Sequence, residues 1–419
     1  AAYRRGKTNV KSALQNFVLL LLSLGVAWGG IELVIFPMAV PHLPMRLHAF
    51  LGELEPLAQS SKSGLRPKGE WVLLVGDSYA KGNGDWFLSV DKGGNPPFQA
   101  AHVIHDTTGR DVLNFGLPGA GSAGAWVMRP EEYMTWLDLS WRYGVERPKT
   151  VFAYFYEGND LDDNLRRAAF HFGGAIPNGF LTDAAAVDSY LETFAGARQR
   201  DNVTVLYNLF ALKFARNILR HEFSSRSAAG GATEAEQQAA TQDRPTASSP
   251  SSQPSNAVRI GDRAEPVSGP MQSPSLELSP TETAGALLIA ERALVRLRAL
   301  FPDSDIVTVY LPSPLTVYEP ASDHVVIQTY HKGPARWPAA AVAARSDVLC
   351  RRLRDIAGRA GVGFLDTRAA LRAAARVRAI HGPRDWKHLN RHGQEVLGAV
   401  LSDSVGDNAP VGACATVSG

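Results

Sequence analysis

Unbroken apolar runs, each closed by a glycine, a proline or a polar turn, alternate along this chain with segments of helical period. Trp71-Val72-Leu73-Leu74-Val75 stops at Gly76, and a short continuous apolar run reads as a strand buried on both faces of a parallel sheet. Asp111–Phe115, Thr150–Tyr156, Ile306–Leu311 and Val362–Leu365 repeat the pattern. The third of these strands is rich in β-branched and aromatic residues. Helical pattern falls between them, at about 97–106, 123–143, 284–300, 339–360 and 391–405. Residues 161–221 read as helical and irregular, with an amphipathic run over 205–219. Strands alternating with helices imply right-handed βαβ crossovers. The expected fold is therefore α/β, a three-layer α/β/α sandwich around a parallel five-stranded sheet.

A different pattern opens the chain. Phe17 to Val40 is almost wholly apolar, about 24 residues and so about 36 Å as a helix, enough to span a bilayer with some tilt. Arg4, Arg5, Lys7 and Lys11 precede it, which by the positive-inside rule puts the tail in the cytoplasm and the body outside. A signal peptide has an apolar core of only about 7–15 residues and a small-residue cleavage site, so an uncleaved anchor is expected. Gly25 and Gly29 make a G-x-x-x-G pattern, and Glu32 is a carboxylate within the apolar run. Together they mark a place for a transmembrane helix partner, although glycine is common in such helices and Glu32 lies near the outer surface. The expected division is a cytoplasmic tail (1–16), a transmembrane helix (17–40), a juxtamembrane connector (41–69), a periplasmic or otherwise extracytoplasmic body (70–405) and a C-terminal tail (406–419). Within the body, 224–283 shifts to Ser, Pro, Gln, Ala and Gly. Such a segment buries too little apolar surface to offset its ordering entropy, and reads as a disordered insertion.

Composition adds only exclusions. Of 419 residues 45% are hydrophobic and 20% charged, ordinary for a globular body, and the net charge of +2 gives no electrostatic case for nucleic acid. Cys350 and Cys414 lack metal-ligand spacing, and whether they pair is open. No His/Cys/carboxylate cluster stands out along the chain, so no metal and no cofactor is expected.

The candidate chemistry sits where the predicted strands end. Ligands of open α/β sheets bind at the carboxyl ends of the strands, and the first strand stops on Gly76-Asp77-Ser78. Ser78 can serve as a nucleophile. His388 can be its base, with Asp385 three residues earlier to orient the imidazole. Gly119 lies on a glycine-rich turn where a backbone N–H can approach a ligand, and Asn159 offers an amide at the end of the third strand. Tyr79, Asn83, Trp86 and Tyr156 flank this constellation as candidate substrate contacts. His102, His105, His171, His324, His331, His381 and His392 have no comparable context and read as structural. Taken singly, Gly-Asp-Ser is an ordinary turn and Gly158-Asn159-Asp160 an ordinary helix cap.

In order along the chain these pieces resemble the SGNH/GDSL hydrolase family. Gly76-Asp77-Ser78 looks like its first block, Asn114-Phe115-Gly116-Leu117-Pro118-Gly119 like its second, Gly158-Asn159-Asp160 like its third, and Asp385-Trp386-Lys387-His388-Leu389-Asn390 like its fifth. The likeness runs from about residue 70 to 405 outside the insertion. The third block, Glu157-Gly158-Asn159-Asp160, lacks the family's Gly-x-Asn-Asp spacing. The resemblance implies a flavodoxin-like sheet and a Ser78–His388–Asp385 triad, with an oxyanion hole from the N–H groups of Ser78 and Gly119 and the Asn159 amide. It further implies an esterase or deacylase acting through an acyl-serine on an acylated small molecule or on O-acyl groups of cell-envelope glycans or lipids, or an O-acyltransferase using the same triad. A non-catalytic binding or assembly subunit of a membrane complex is the reading from another class. Gly119-Ala120-Gly121-Ser122-Ala123-Gly124 also matches G-x-G-x-x-G, but it follows the second strand and lacks the acidic residue of a dinucleotide site.

Overall fold

The computed structural model describes residues 2–85, 99–140, 142–196, 209–228, 254–329, 333–406 and 413–415. Its strands are β1 (Val72–Val75), β2 (Val112–Asn114), β3 (Thr150–Tyr156), β4 (Pro254–Ile260), β5 (Arg263–Ser268), β6 (Asp305–Leu311), β7 (Glu319–Pro320), β8 (His324–Ile327), β9 (Ala335–Pro338) and β10 (Gly363–Asp366). The expected apolar runs form one parallel five-stranded sheet in the order β10-β6-β3-β1-β2. The chain leaves β1 toward β2 on one side and then crosses to β3 on the other. The direction of winding therefore reverses between β1 and β3, the point where open α/β sheets bind ligands.

Strand period 2 explains why both faces are covered. Leu73, Val75, Val151, Ala153 and Phe155 point to one layer, packed with Tyr133, Leu294 and Leu353 of the helices Arg129–Leu139, Pro280–Leu300 and Ala339–Arg359. Val72, Leu74, Phe152, Tyr154 and Val309 point to the other, packed with Ile104, Leu371 and Leu397 of the helices Ala100–Thr108, Arg368–Val377 and Arg391–Ser402.

Three expectations need correcting. The connector 41–69 is part of the body. Its turns bury Leu51, Leu54 and Leu57, and Gln59 and Ser61 then pair with the open edge of β2, each exchanging two hydrogen bonds with Asn114 and Val112 respectively. A bare edge strand is a template for aggregation, and this segment covers it. The disordered insertion does not describe 254–283. There β4 and β5 form an antiparallel hairpin turned at Gly261-Asp262, with Val258 and Val267 wholly buried, and Asn256 exchanges hydrogen bonds of 2.8 Å with the Val326 backbone. Averaging composition over 224–283 hid the two-residue turn and the Ser279–Glu282 capping box that starts the helix Pro280–Leu300. Residues 229–253 lie outside the described ones.

The third correction concerns the anchor. Ser12–His42 is long and apolar enough to cross a membrane, with mean hydropathy 2.2 and 6% of its most apolar window buried. A helix over Ala2–Gly30 continues through a π turn at Ile31–Ile35. Glu32, expected to seek a transmembrane partner, finds its partners within the chain. It is 2% exposed, and its carboxylate accepts the N–H groups of Phe210 and Ala211, the latter at 2.9 Å, with Arg142 at 3.4 Å. Gly25 and Gly29 have open space beside them. Cys350 and Cys414 are joined in a disulfide that ties 413–415 to the helix Ala339–Arg359.

Candidate functional site

Ser78 emerges from the sharp turn after β1 and begins a single helical turn, Ser78–Lys81. Asp77 stabilises that turn by accepting the Tyr79 N–H at 2.8 Å. Glycine is required on either side of it. A Cβ on Gly76 would lie 2.6 Å from the Tyr154 Cβ, and one on Gly116 would lie 2.2 Å from the Lys81 backbone nitrogen. The turn is thus wedged between β3 and the loop after β2, with the serine hydroxyl at the carboxyl edge of the sheet.

Residues far apart in sequence meet this hydroxyl. His388 Nε2 lies 2.8 Å from Ser78 Oγ, and His388 Nδ1 lies 2.7 Å from Asp385 Oδ2. The other oxygen of Asp385 accepts the N–H groups of Lys387 at 2.9 Å and His388 at 3.3 Å. Burial raises the Asp385 carboxyl, but the hydrogen bond and charge of His388 and these two N–H groups outweigh it, so its pKa falls below the ordinary value. An acid held ionised beside Nδ1 fixes the tautomer that leaves Nε2 to accept a proton.

The loop that carries the pair is braced from several sides. The Asp85 carboxylate accepts the Arg384 N–H at 3.1 Å and the Asp385 N–H. Tyr318 Oη accepts the N–H groups of Ile380 and His381 at 2.8 and 2.9 Å. Asn390 donates to the carbonyls of Ala379 and His381 at 3.0 Å and caps the last helix through Gly393. The phenol of Tyr79, next in the chain to Ser78, donates to the Lys387 carbonyl at 2.6 Å, and its ring stacks on Tyr156 at 4.0 Å.

The expected substrate contacts fare unevenly. Tyr79 and Tyr156 are 2% and 1% exposed; Tyr79 supports the histidine loop through Lys387, and Tyr156 stacks against Tyr79. The Tyr156 hydroxyl is turned inward, donating to Gln272 at 2.6 Å. Asn83 is half-buried and its N–H donates to the Ser78 carbonyl at 3.0 Å. Trp86 lies outside the described residues.

Of the expected oxyanion donors, Asn159 lies against Asp77 beside Ser78, and Gly119 is on the loop that follows β2. Among the described residues, the N–H groups of Ser78 and Gly119 have no acceptor. Gly119 has φ +64°, a left-handed conformation that favours glycine. Asn159 Nδ2 donates to Asp163 Oδ2 at 3.0 Å, and the amide also bonds with the Asp77 carboxylate. Its buried Oδ1 has no partner among the described residues. Its N–H donors are thus turned to carboxylates, and an oxyanion role needs one of them released from that partner.

Sequence reasoning missed the acids beneath it. Asp77, Asp160 and Asp163 are all buried. Burial raises each of them, the Asp163 carboxyl to about 6, opposed there by Arg166 at 2.6 Å. The spacing of Asn159 and Asp163, four residues apart across a helix start, was a usable signal. His381, read as structural, is buried between Tyr318 and Tyr79, and burial pushes its pKa down to about 3. The alternative G-x-G-x-x-G reading fails on contact. Asn164 Oδ1 takes the Ser122 N–H at 2.8 Å, and a Cβ on Gly121 would meet that oxygen at 2.7 Å, so the turn is already filled.

Hydroxyl, imidazole and carboxylate in this order can move a proton from the serine to the imidazole and hold the charge that results. Compared with protein-family models, curated proteins and solved structures, the chain gives no match.

Proposed function

We propose that this protein is a membrane-anchored serine esterase of the SGNH/GDSL type. The observation that carries the reading is the relay from Ser78 Oγ through His388 to Asp385, at 2.8 and 2.7 Å, at the switch point of the sheet. Ser78 Oγ attacks the carbonyl carbon of an O-acyl group as His388 Nε2 takes its proton. The resulting oxyanion is met by the N–H groups of Ser78 and Gly119 and by an N–H of the Asn159 amide released from its carboxylate partner. Collapse expels the alcohol, which takes the proton from Nε2, and leaves an acyl-Ser78. Water, deprotonated by His388, attacks the acyl carbon; the intermediate collapses by breaking the bond to Ser78 Oγ, which takes the proton back from Nε2, and the carboxylic acid leaves. A sugar hydroxyl in place of water would make the same chemistry an acyl transfer.

The substrate class rests on compartment. The apolar N-terminal helix suits an anchor, and a Cys350–Cys414 disulfide suits an oxidising space outside the cytoplasm. Acylated glycans or lipids of the cell envelope are the esters available there. The test is labelling of the full chain with a fluorophosphonate, alongside hydrolysis of short acyl esters and acetylated sugars. Wild type should be labelled and active, and Ser78→Ala neither. Esterase activity that survives in a folded Ser78→Ala protein removes the assignment. An unlabelled, inactive wild type favours a binding module.

A further inference from the structure

The amphipathic run that the catalytic reading leaves unused begins where the membrane segment ends. Within the apolar stretch Ser12–His42, Glu32 is held by charged and polar groups of the body, with Arg142 against it and the Lys213–Glu53 pair on the helix that follows. Such groups are costly in hydrocarbon, so the span expected over 17–40 ends near Glu32, which stands at the outer boundary. Its neighbours Leu33, Val34 and Ile35 are 54%, 55% and 60% exposed, while Glu32 itself is buried. The body side of that boundary is the first turn of the helix Phe210–Ala228, whose Phe210 and Ala211 N–H groups Glu32 accepts. Its inner face is then packed onto the segment leaving the membrane. Phe214 meets Phe36 at 5.5 Å, Lys213 meets Glu53 at 3.0 Å, and Asn217 donates to the Phe50 carbonyl at 3.0 Å.

At 100° per residue the opposite face carries Leu212, Ala215, Arg216 and Leu219, with Arg220 at its edge. All five are exposed, the leucines by 45% and 56%. Leucines on the midline with arginines beside them are the pattern of a helix lying in a bilayer interface, apolar side chains below the headgroups and guanidinium groups at the phosphates. We propose that the helix Phe210–Ala228 rests on the outer leaflet of the membrane that the N-terminal helix crosses, docking this face onto phospholipid. The bilayer is the occupant because the face is continuous with the span, held to its outer end by Glu32. The proposal rests on Ser12–Gly30 being a transmembrane helix and is independent of the chemistry at Ser78.

Both cysteines of the chain are in the disulfide, so single introduced cysteines can carry an environment-sensitive fluorophore. The full chain, reconstituted in vesicles of phosphatidylethanolamine and phosphatidylglycerol, would be labelled at Val26→Cys, Leu212→Cys, Leu219→Cys or Val377→Cys. Val377 is 82% exposed on the helix that follows β10, at the sheet edge remote from β2. A lipid-borne quencher should quench labels at 26, 212 and 219 and spare 377, with iodide doing the reverse. Labels at 212 and 219 as open to iodide as 377 overturn the proposal, as does their shielding from both quenchers, which would mean a protein covers them. A label at 26 that lipid does not quench removes the anchor reading and this proposal with it.

Discussion

Asp385 and Asp162 are carboxylates pushed in opposite directions, and each makes a prediction of its own. Asp385 is held below its ordinary pKa despite burial, by His388 and two backbone N–H groups. Its contribution to stability is present above the ordinary carboxylate range and is lost as pH falls through the depressed value. Asp385→Asn should therefore fold with a weaker loss of stability on acidification, and should lose about 10⁴ in kcat because the imidazole is no longer held in the productive tautomer. Steady-state kinetics beside thermal melts across pH would check both, and an unchanged kcat would remove Asp385 from the relay. For Asp162 burial dominates and raises the carboxyl to about 7, although Ser275 donates to it at 2.5 Å. Between the unfolded value of about 4 and that point the folded chain keeps a proton the unfolded chain has lost, so stability falls as pH rises through this window. Asp162→Asn should raise Tm relative to wild type by more at about pH 8 than at about pH 4. Equal shifts at both pH values would show that Asp162 does not titrate in this range. At Asn159, truncation to alanine should cost about 10²–10³ in kcat if the amide meets the oxyanion, with little effect on KM for a small ester. A KM effect alone would make it a binding residue.

At the scale of elements, the carboxyl end of β3 is fixed to its neighbours by charge buried in the core. Glu157, wholly buried, accepts hydrogen bonds from the Ser313 N–H at 2.8 Å and hydroxyl at 2.9 Å, from Ser346 at 2.6 Å, and from the hydroxyls of Tyr310 and Thr316. Arg368, equally buried at the start of the helix after β10, pairs with Asp347 at 2.7 Å and Asp366 at 2.9 Å. Ser346 touches both, so β3, β6, β10 and the helix Ala339–Arg359 share one polar knot. Buried ions add little over a well-packed apolar core, but removing one partner strands the other. Arg368→Met should destabilise by about 3–5 kcal/mol in urea unfolding, since the buried Asp366 carboxylate would lose the guanidinium that pairs with it. A change under about 1 kcal/mol would mean water reaches and solvates it.

Across the whole molecule the ends of the chain clamp the sheet from its two edges. The connector pairs with β2, and the Cys350–Cys414 bridge closes a loop with a sequence separation of 64 near β10. Chain entropy alone assigns such a loop about 4 kcal/mol. Cys414→Ser should lower Tm, and reductant should lower wild-type Tm to match while leaving the variant unmoved. Sensitivity of the variant to reductant would show that the bridge is not the group involved.

How much could be read in advance follows from which interactions are local. The five parallel strands, their helices and the apolar N-terminal helix were legible because each is a run of side chains whose period suits one environment. Ser78, Asp385 and His388 were legible as candidates because they fall at strand ends and within a short loop. Their meeting was not, since it depends on Tyr79, Asp85, Tyr318 and Asn390 holding a loop some three hundred residues downstream. The hairpin in 254–268 was misread because polar composition masks a short alternating pattern that gains its apolar contacts only from distant neighbours. Tyr79 and Tyr156 looked like site residues and became supports, because sequence gives proximity along the chain and burial is decided by what packs from elsewhere. Glu32 makes the same point: alone it is a costly carboxylate in an apolar run, and only the fold brings a helix start and Arg142 to satisfy it. Period and spacing are written in neighbouring residues, so the chain by itself determined its main strands and helices and which residues are candidates for chemistry. Partners arrive by long-range packing, so only the tertiary structure decided which of those residues share a site.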